Sequence, residues 1–528
     1  MKLTKAGKKI YFLFLLLAIQ IGFTISFLPL RFGLFPITFD QGRDFLWVRN
    51  QFEFRRPSLV GPWASSEGIY FGPLWFWLLG IPYWLSGGHP LAMAVFNWLV
   101  VFGAVMIGTF LLKKISKRLA YFFLFCGFLS SAIHGISGYP FSQHLLPLLT
   151  ILLIYSYYRL LKESSVKHFY LSLFWIGLMF HAEPPISVLS FPSLLLIASL
   201  AQKRKRLLNL KVSIGGFLAL VIPFLPQIIF DWRHGFFQLQ SIIDFILNRK
   251  GAGLVDSFQE RLTAVPSQFL ATFRLTVFQQ PAWAGMIILL AIFYINFRSS
   301  HQQKRILWQV SLIYSLSLFL SFLFYGPLKL KNFYLDGLII VYLLWLALAL
   351  SSLWAKKSWR LLIVVYLLLA FYQNMSPVYF LRSLKNGFAD KYDKGSIFAN
   401  QKRAVEWIYQ DAGNRGFKVY TYDPAIYDYP YQYLFFWLGL KKFGYLPEEF
   451  AYLPDQPEYV PRKKDQLARL KDKLRKSEGL VYLIIVEADG GNIFKNWRAN
   501  FPDEKLKLVD RKPFPGRIRV EKRRSDGL

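Results

Sequence analysis

Cysteine is almost missing from the 528 residues; Cys126 stands alone. A single thiol excludes an intrachain disulfide and any zinc site built on cysteine. The seven histidines are scattered, without HExxH or a comparable ligand spacing. No P-loop, dinucleotide fingerprint, heptad array, low-complexity tract or clear internal repeat is visible. Acids are scarce too, 31 against 63 Lys and Arg. In a soluble chain the formal charge of +32 would point to nucleic acid. The way that charge is distributed excludes this reading.

What fills the chain is apolar. A soluble protein of this size could not hide a composition 54% hydrophobic and 18% aromatic from water. The apolar residues gather in runs near 10–30, 90–112, 119–136, 145–160, 168–183, 185–201, 212–230, 281–297, 306–325, 333–354 and 360–376. Most approach the roughly 20 residues that cross a bilayer core. Alternate connections, beginning with "MKLTKAGKK" and ending with "AKKSWR", hold 22 Lys and Arg and one acid, Glu163. That asymmetry is the positive-inside pattern. It predicts an all-α polytopic domain of about eleven spans in a cell membrane, with the N-terminus cytoplasmic and the C-terminus outside. The first run is too long and aromatic for a signal-peptide core and lacks an A-x-A site, so it is expected to remain as an anchor.

Three outer segments are large enough to build a site. In residues 31–89, positions 41–53 place Phe45, Val48 and Phe52 on one helical face and Arg43, Asp44, Asn50, Gln51 and Glu53 elsewhere. This reads as a helix lying in the interface plane. "GPLWFWLLGIPYWL" is too short to span and reads as a second interfacial or re-entrant piece. Residues 226–270 read as amphipathic helix interrupted at Gly251 and Gly253, and 325–337 carry Lys329 and Lys331 outward. Residues 1–376 therefore form the membrane domain. From 377 the chain turns polar, with 29 basic and 20 acidic residues. Strand-like runs at 417–422, 480–486 and 516–520, with helical patterns at 398–412 and 461–477, predict a small extracytoplasmic α/β domain.

Asp40, Arg43 and Asp44 share one helical turn just beyond the first span. Asp40 suits an N-cap, and Arg43 and Asp44 suit a solvated helix face; an ionisable group at a membrane edge equally suits a functional site. His181 and Glu183 in "FHAEPP" have the same two readings. Asp231, Arg233 and His234 are substrate contacts or a polar helix terminus. His144 reads as structural, Arg55 and Arg56 as lipid anchors. The aromatic run 422–437 reads as packing, with stacking on sugars the other option.

"FDQGRDF" followed by "YFGPLWFWLLGIPYWLSGG" resembles the start of the GT-C glycosyltransferases, in particular the protein O-mannosyltransferases and the bacterial lipid A aminoarabinose transferases. Their pattern is Asp-Glu-x-Arg in the first outer loop and a Pro-Pro-Leu-x-x-Trp-type segment some 25–35 residues later. Asp40-Gln41-Gly42-Arg43 and Gly72-Pro73-Leu74-Trp75 occupy those places, and "FLPQIIFDWRHGFF" is similar to a further bacterial segment. Two positions depart: Gln41 replaces the second acid, and Phe71 stands where a lysine often precedes the prolines. Asp44, one turn on, is the candidate for the missing carboxylate.

The resemblance implies transfer of a sugar, with inversion, from a polyprenyl-phosphate carrier to an acceptor hydroxyl of a protein, lipid or glycan on the outer face. Asp40 is the implied base, with Asp44 beside it. A partly desolvated carboxylate is a better base, and cations must meet the departing phosphate. Arg43, Lys329 and Lys331 are the candidates for that phosphate, and His181, Glu183, Arg233 and His234 for the rest of the substrates. No cofactor is expected, since the carrier supplies activation, and the loss of the second acid argues against a metal. The rival readings are a flippase for lipid-linked saccharides and a polysaccharide polymerase or ligase. A flippase calls for repeats and midplane charges, whereas the polar constellation here sits at one membrane edge.

Overall fold

The computed structural model describes residues 5–64, 68–207, 209–248, 257–324, 329–375, 394–424, 427–456, 458–487 and 490–525. The expected break at Gly251 and Gly253, the start of the 325–337 segment and the domain boundary at 376–377 lie outside these residues. Each of the eleven predicted runs has a helical counterpart, beginning with α1 (Lys5–Arg31). Five helices are long and apolar enough to cross a membrane unaided, or up to seven if each bent pair is one span. Helix α1 is unbroken over 27 residues, and the other runs are shorter or broken. Ser130 separates Lys117–Leu129 from Ser131–Ser137 with a 61° bend, and an 87° bend parts Phe258–Val277 from Ala282–Phe297. Asn332–Leu353 is the innermost span, 94% of its most apolar window being buried in the protein.

Between the first two spans run α2 (Phe39–Glu53) and α3 (Leu74–Ser86). Helix α3 turns Ile81, Trp84 and Leu85 outward, as an apolar interfacial segment does. Helix α2 departs from expectation. Phe45 and Val48 are buried as predicted but Phe52 is exposed, and Gln41, Arg43, Asp44, Arg49 and Asn50 are buried too. Its polar face is not solvated, because the C-terminal domain lies on it. Phe45 meets Tyr433 with ring centroids 5.2 Å apart. The Arg49 guanidinium sits 4.2 Å from the Phe436 ring centroid and bonds Gln466. Asn50 donates to the Pro461 carbonyl at 2.8 Å. An unpartnered arginine in that seam would be costly; Glu53 adds an ion pair to Arg49 at 3.3 Å.

The C-terminal domain is α/β. Its strands are β1 (Gly416–Tyr422), β2 (Leu446–Pro447), β3 (Glu449–Ala451), β4 (Leu474–Arg475), β5 (Ser477–Val486), β6 (Leu506–Phe514) and β7 (Ile518–Ser525). Five form a sheet of order β3-β1-β5-β7-β6, and β2 pairs with β4. Strand β1 runs parallel to β3 and β5, while β7 is antiparallel to both β5 and β6. The unbroken apolar run Leu480–Val486 is buried throughout, as a strand covered on both faces must be. The predicted helix at 398–412 is present as Phe398–Ala412. The one expected at 461–477 is present only over Lys463–Arg469, after which the chain turns into β4. The aromatic run folds into a buried helix, Tyr429–Leu438, against α2.

Candidate active site

The first turn of α2 organises the site. Thr38 precedes the helix in extended conformation, and the Gln41 side chain accepts its backbone N–H at 2.9 Å. Gln41, standing where the resembling family has a second acid, thus closes its own helix N-terminus. It is buried and does not line the cavity.

Arg43 reaches two acids at once. Its Nη1 lies 3.0 Å from Asp40 Oδ1, and its Nε and Nη2 donate to Asp44 Oδ1 at 2.9 and 2.8 Å. The other Asp44 oxygen accepts the Trp75 indole N–H at 3.0 Å. Both Arg43 faces meet aromatic rings, Trp63 at 5.4 Å and Phe39 at 5.9 Å. Few rotamers are left to such a guanidinium. Burial pushes Asp44 up to about 6 against the pull of Arg43. Burial also works against the Arg43 charge, but Asp44 and Asp40 outweigh it and hold its pKa above the ordinary value.

The two acids therefore differ in kind. The Asp40 side chain is 40% exposed and lines a cavity of about 350 Å³. Asp44 is 2% exposed, pairs with Arg43 and does not line the cavity. Asp44, expected as a second carboxylate beside Asp40, is instead held between Arg43 and Trp75.

Across the cavity stand Gln143, Glu183, Lys331 and Tyr334, supplied by segments 100 to 300 residues away in sequence. Glu183 is buried and accepts from Gln143 Nε2 at 2.6 Å. It sits where Val166–Ala182 ends and Pro184 starts the next helix. Lys331 lies within electrostatic reach of Glu183. Apolar walls come from Phe141, Phe180 and Leu189, with Ile242 and Phe245 from helix Phe237–Asn248. Such a chamber, apolar with a few convergent polar groups, suits a small polar moiety carried on an apolar chain.

Asp40, Arg43, Glu183 and Lys331 thus converge, whereas Asp44, His181, Arg233, His234 and Lys329 do not line the cavity. His181 Nε2–H donates to the Pro223 carbonyl at 2.9 Å while Nδ1 accepts from the Leu74 amide at 3.3 Å. It ties α3 to the membrane helices, and a Cβ on Gly72 would overlap its ring. His234 bonds back to the Phe230 carbonyl at 2.7 Å and stacks on the Phe230 ring. Arg233 is exposed beside it at the helix end. Lys329 precedes Lys331 by two residues without reaching the cavity wall. Asp231 caps the next helix, accepting from Gln238 and Leu239 at 2.7 and 3.0 Å. His144 is structural, bonding the Tyr139 carbonyl and Asn97. Sequence reasoning missed Gln143, Tyr334 and Trp63; none carries a motif, and only folding brings them to the cavity. Among the described residues no three His, Cys, Asp or Glu side chains are grouped to hold a metal.

No protein-family model matches the chain, and no curated protein does. Solved structures do. ArnT from Cupriavidus metallidurans in the apo state superposes with a TM-score of 0.58 at 12% identity, covering 98% of this chain and 98% of that one. The same protein bound to undecaprenyl phosphate gives 0.58 and 12%, covering 96% and 98%. The arabinofuranosyltransferase AftD from Mycobacteria gives 0.47 and 13%, covering 98% of this chain and 40% of that one. The match to ArnT runs end to end, so the chain shares the fold of that protein.

Proposed function

We propose that this chain, folded as ArnT is, is a membrane glycosyltransferase. It takes a sugar from a polyprenyl-phosphate carrier and passes it to an acceptor hydroxyl at the outer face of a cell membrane. The observation that carries this reading is the convergence of Asp40 and Arg43 from the first outer loop with Glu183 and Lys331 on one cavity. The fold is shared with a protein solved with undecaprenyl phosphate bound. The charge asymmetry of the loops supports a cytoplasmic N-terminus and an outer C-terminal domain.

The chemistry follows from the geometry. Arg43 occupies Asp40 Oδ1, and Oδ2 takes the proton of the acceptor hydroxyl. The hydroxyl oxygen attacks the anomeric carbon from the face opposite the phosphate, so configuration inverts. The bond from that carbon to the phosphate oxygen breaks and its electrons stay with the phosphate, which gains one negative charge. Arg43 offers the N–H groups that Asp40 and Asp44 leave over, and Lys331 a point charge, to meet it. Glu183, held by Gln143, accepts hydrogen bonds from sugar hydroxyls within the cavity.

Purified protein incubated with radiolabelled polyprenyl-phosphate sugars tests this directly. Release of undecaprenyl phosphate with label moving to an acceptor or to water is expected. Movement of intact donor across a vesicle bilayer, without cleavage, would establish the flippase reading instead.

A further inference from the structure

Beside Asp40 a line of aromatic rings leaves the cavity and crosses onto the C-terminal domain. It starts at Trp63 on the cavity wall, passes over Arg43 to Phe39, and meets Tyr427 at 6.2 Å and Tyr429 at 4.9 Å. Tyr427 lies nearly parallel to Tyr459, with centroids 5.1 Å apart, and to Tyr429 at 5.6 Å. Trp63 is 38% exposed and Tyr427 40%.

Packing alone does not account for the exposed rings, whereas the buried ones beneath them are fixed. The Tyr429 hydroxyl donates to the Tyr459 carbonyl at 3.1 Å, and the Tyr459 hydroxyl donates to Asp428 at 2.7 Å. Asp428 is fully buried and also accepts from Gln432 at 2.8 Å. A rigid base with an open upper ring is a preorganised surface, on which little entropy is lost when a ligand settles.

We propose that these rings form the subsite for the acceptor, and that the acceptor is a glycan. This rests on the transferase reading above and adds the class of acceptor to it. The C–H face of a pyranose or furanose is apolar, and its hydrogens are attracted to the negative face of an aromatic ring. A sugar lying on Tyr427 and Phe39 would direct a hydroxyl toward the neighbouring Asp40, whose side chain is 40% exposed. The direction of the track separates the alternatives. It leads through Tyr427 and Tyr459 onto the polar domain, whereas a lipid-anchored acceptor calls for an apolar path.

The test is saturation-transfer NMR on the full chain in lipid nanodiscs, since sugar-headed detergents would compete. The probes are mannotriose, xylotriose, chitotriose and arabinotriose, with a threonine-rich peptide alongside. Saturation of ring C–H protons in at least one oligosaccharide is expected. Tyr427→Ala should weaken that binding about tenfold, and Tyr427→Trp should retain it. Undecaprenyl phosphate affinity should be the same in all three proteins. Binding of none of the oligosaccharides, equal binding by Tyr427→Ala, or binding of the peptide alone would overturn the proposal. If an oligosaccharide binds but wild-type protein has no affinity for undecaprenyl phosphate, the transferase reading fails while the subsite stands.

Discussion

Gly42 of α2 and Pro430 of the C-terminal domain pack backbone to backbone. A Cβ on residue 42 would stand 2.9 Å from the Pro430 Cα and 2.6 Å from the Tyr429 carbonyl carbon, closer than side chains tolerate. Since Gly42 lies between Asp40 and Arg43, any shift of the helix there moves both. Gly42→Ala should displace α2 from its cover and lower transfer about a hundredfold, the scale of a misplacement near 1 Å. Initial rates beside thermal unfolding check this. A rate loss no larger than the unfolded fraction would show that the contact serves stability alone.

Asp40→Asn keeps size and hydrogen-bonding capacity but removes the base. Transfer should fall about 10²- to 10⁴-fold, while undecaprenyl phosphate affinity stays within a few-fold, because Arg43 retains Asp44. Equilibrium binding of labelled carrier together with single-turnover transfer separates the two quantities. Near-normal turnover would remove Asp40 from the mechanism.

Asp44 gives the chain a pH response outside the membrane spans. Its carboxyl titrates at about 6 in the folded protein and near 4 unfolded. Between those values the folded chain holds a proton that the unfolded chain has released. Stability therefore falls as pH rises through about 4 to 6 and is level above it. Function runs the other way: once Asp44 is protonated, its hold on the Arg43 fork weakens. Carrier affinity should drop as pH falls below about 6. Asp44→Asn should lose that acid limb and, with no proton to release, should also abolish the fall in stability between about pH 4 and 6. Affinity measured from pH 5 to 8 on both proteins decides it.

The first outer loop was legible because its signals are local. The Asp40–Arg43 spacing and a short tryptophan-rich segment fall within 50 residues, although the helix starts earlier than read, with Thr38 and not Asp40 as its N-cap. The distinction between Asp40 and Asp44 was not legible. Both sit on one turn with like flanks, and what separates them is Trp75 and the covering helix Tyr429–Leu438. That helix lies nearly 400 residues away in sequence, beyond the reach of periodicity. For the same reason the polar face of α2 reads as solvated in sequence and is buried in the fold. His181 misled for a different cause. A histidine at a helix end beside an acid looks functional, but both its ring nitrogens are engaged with backbone.

Lys329 and Lys331 are two residues apart, and only their placement tells them apart. Lys331 lines the cavity opposite Arg43, with its ammonium 5.7 Å from the Phe333 ring centroid, whereas Lys329 lies outside the lining. Arg43 already faces two acids, so much of its charge is neutralised before a phosphate arrives. The added charge on the departing phosphate then falls largely to Lys331. Lys331→Ala should weaken undecaprenyl phosphate binding about tenfold and steepen the loss of affinity with added salt less than in the parent protein, since an exposed charge pair is screened. Lys329→Ala should change neither quantity by more than about twofold. Carrier titrations at low and high salt on the two variants check this; equal effects would mean that charge near the cavity mouth matters and the identity of the residue does not.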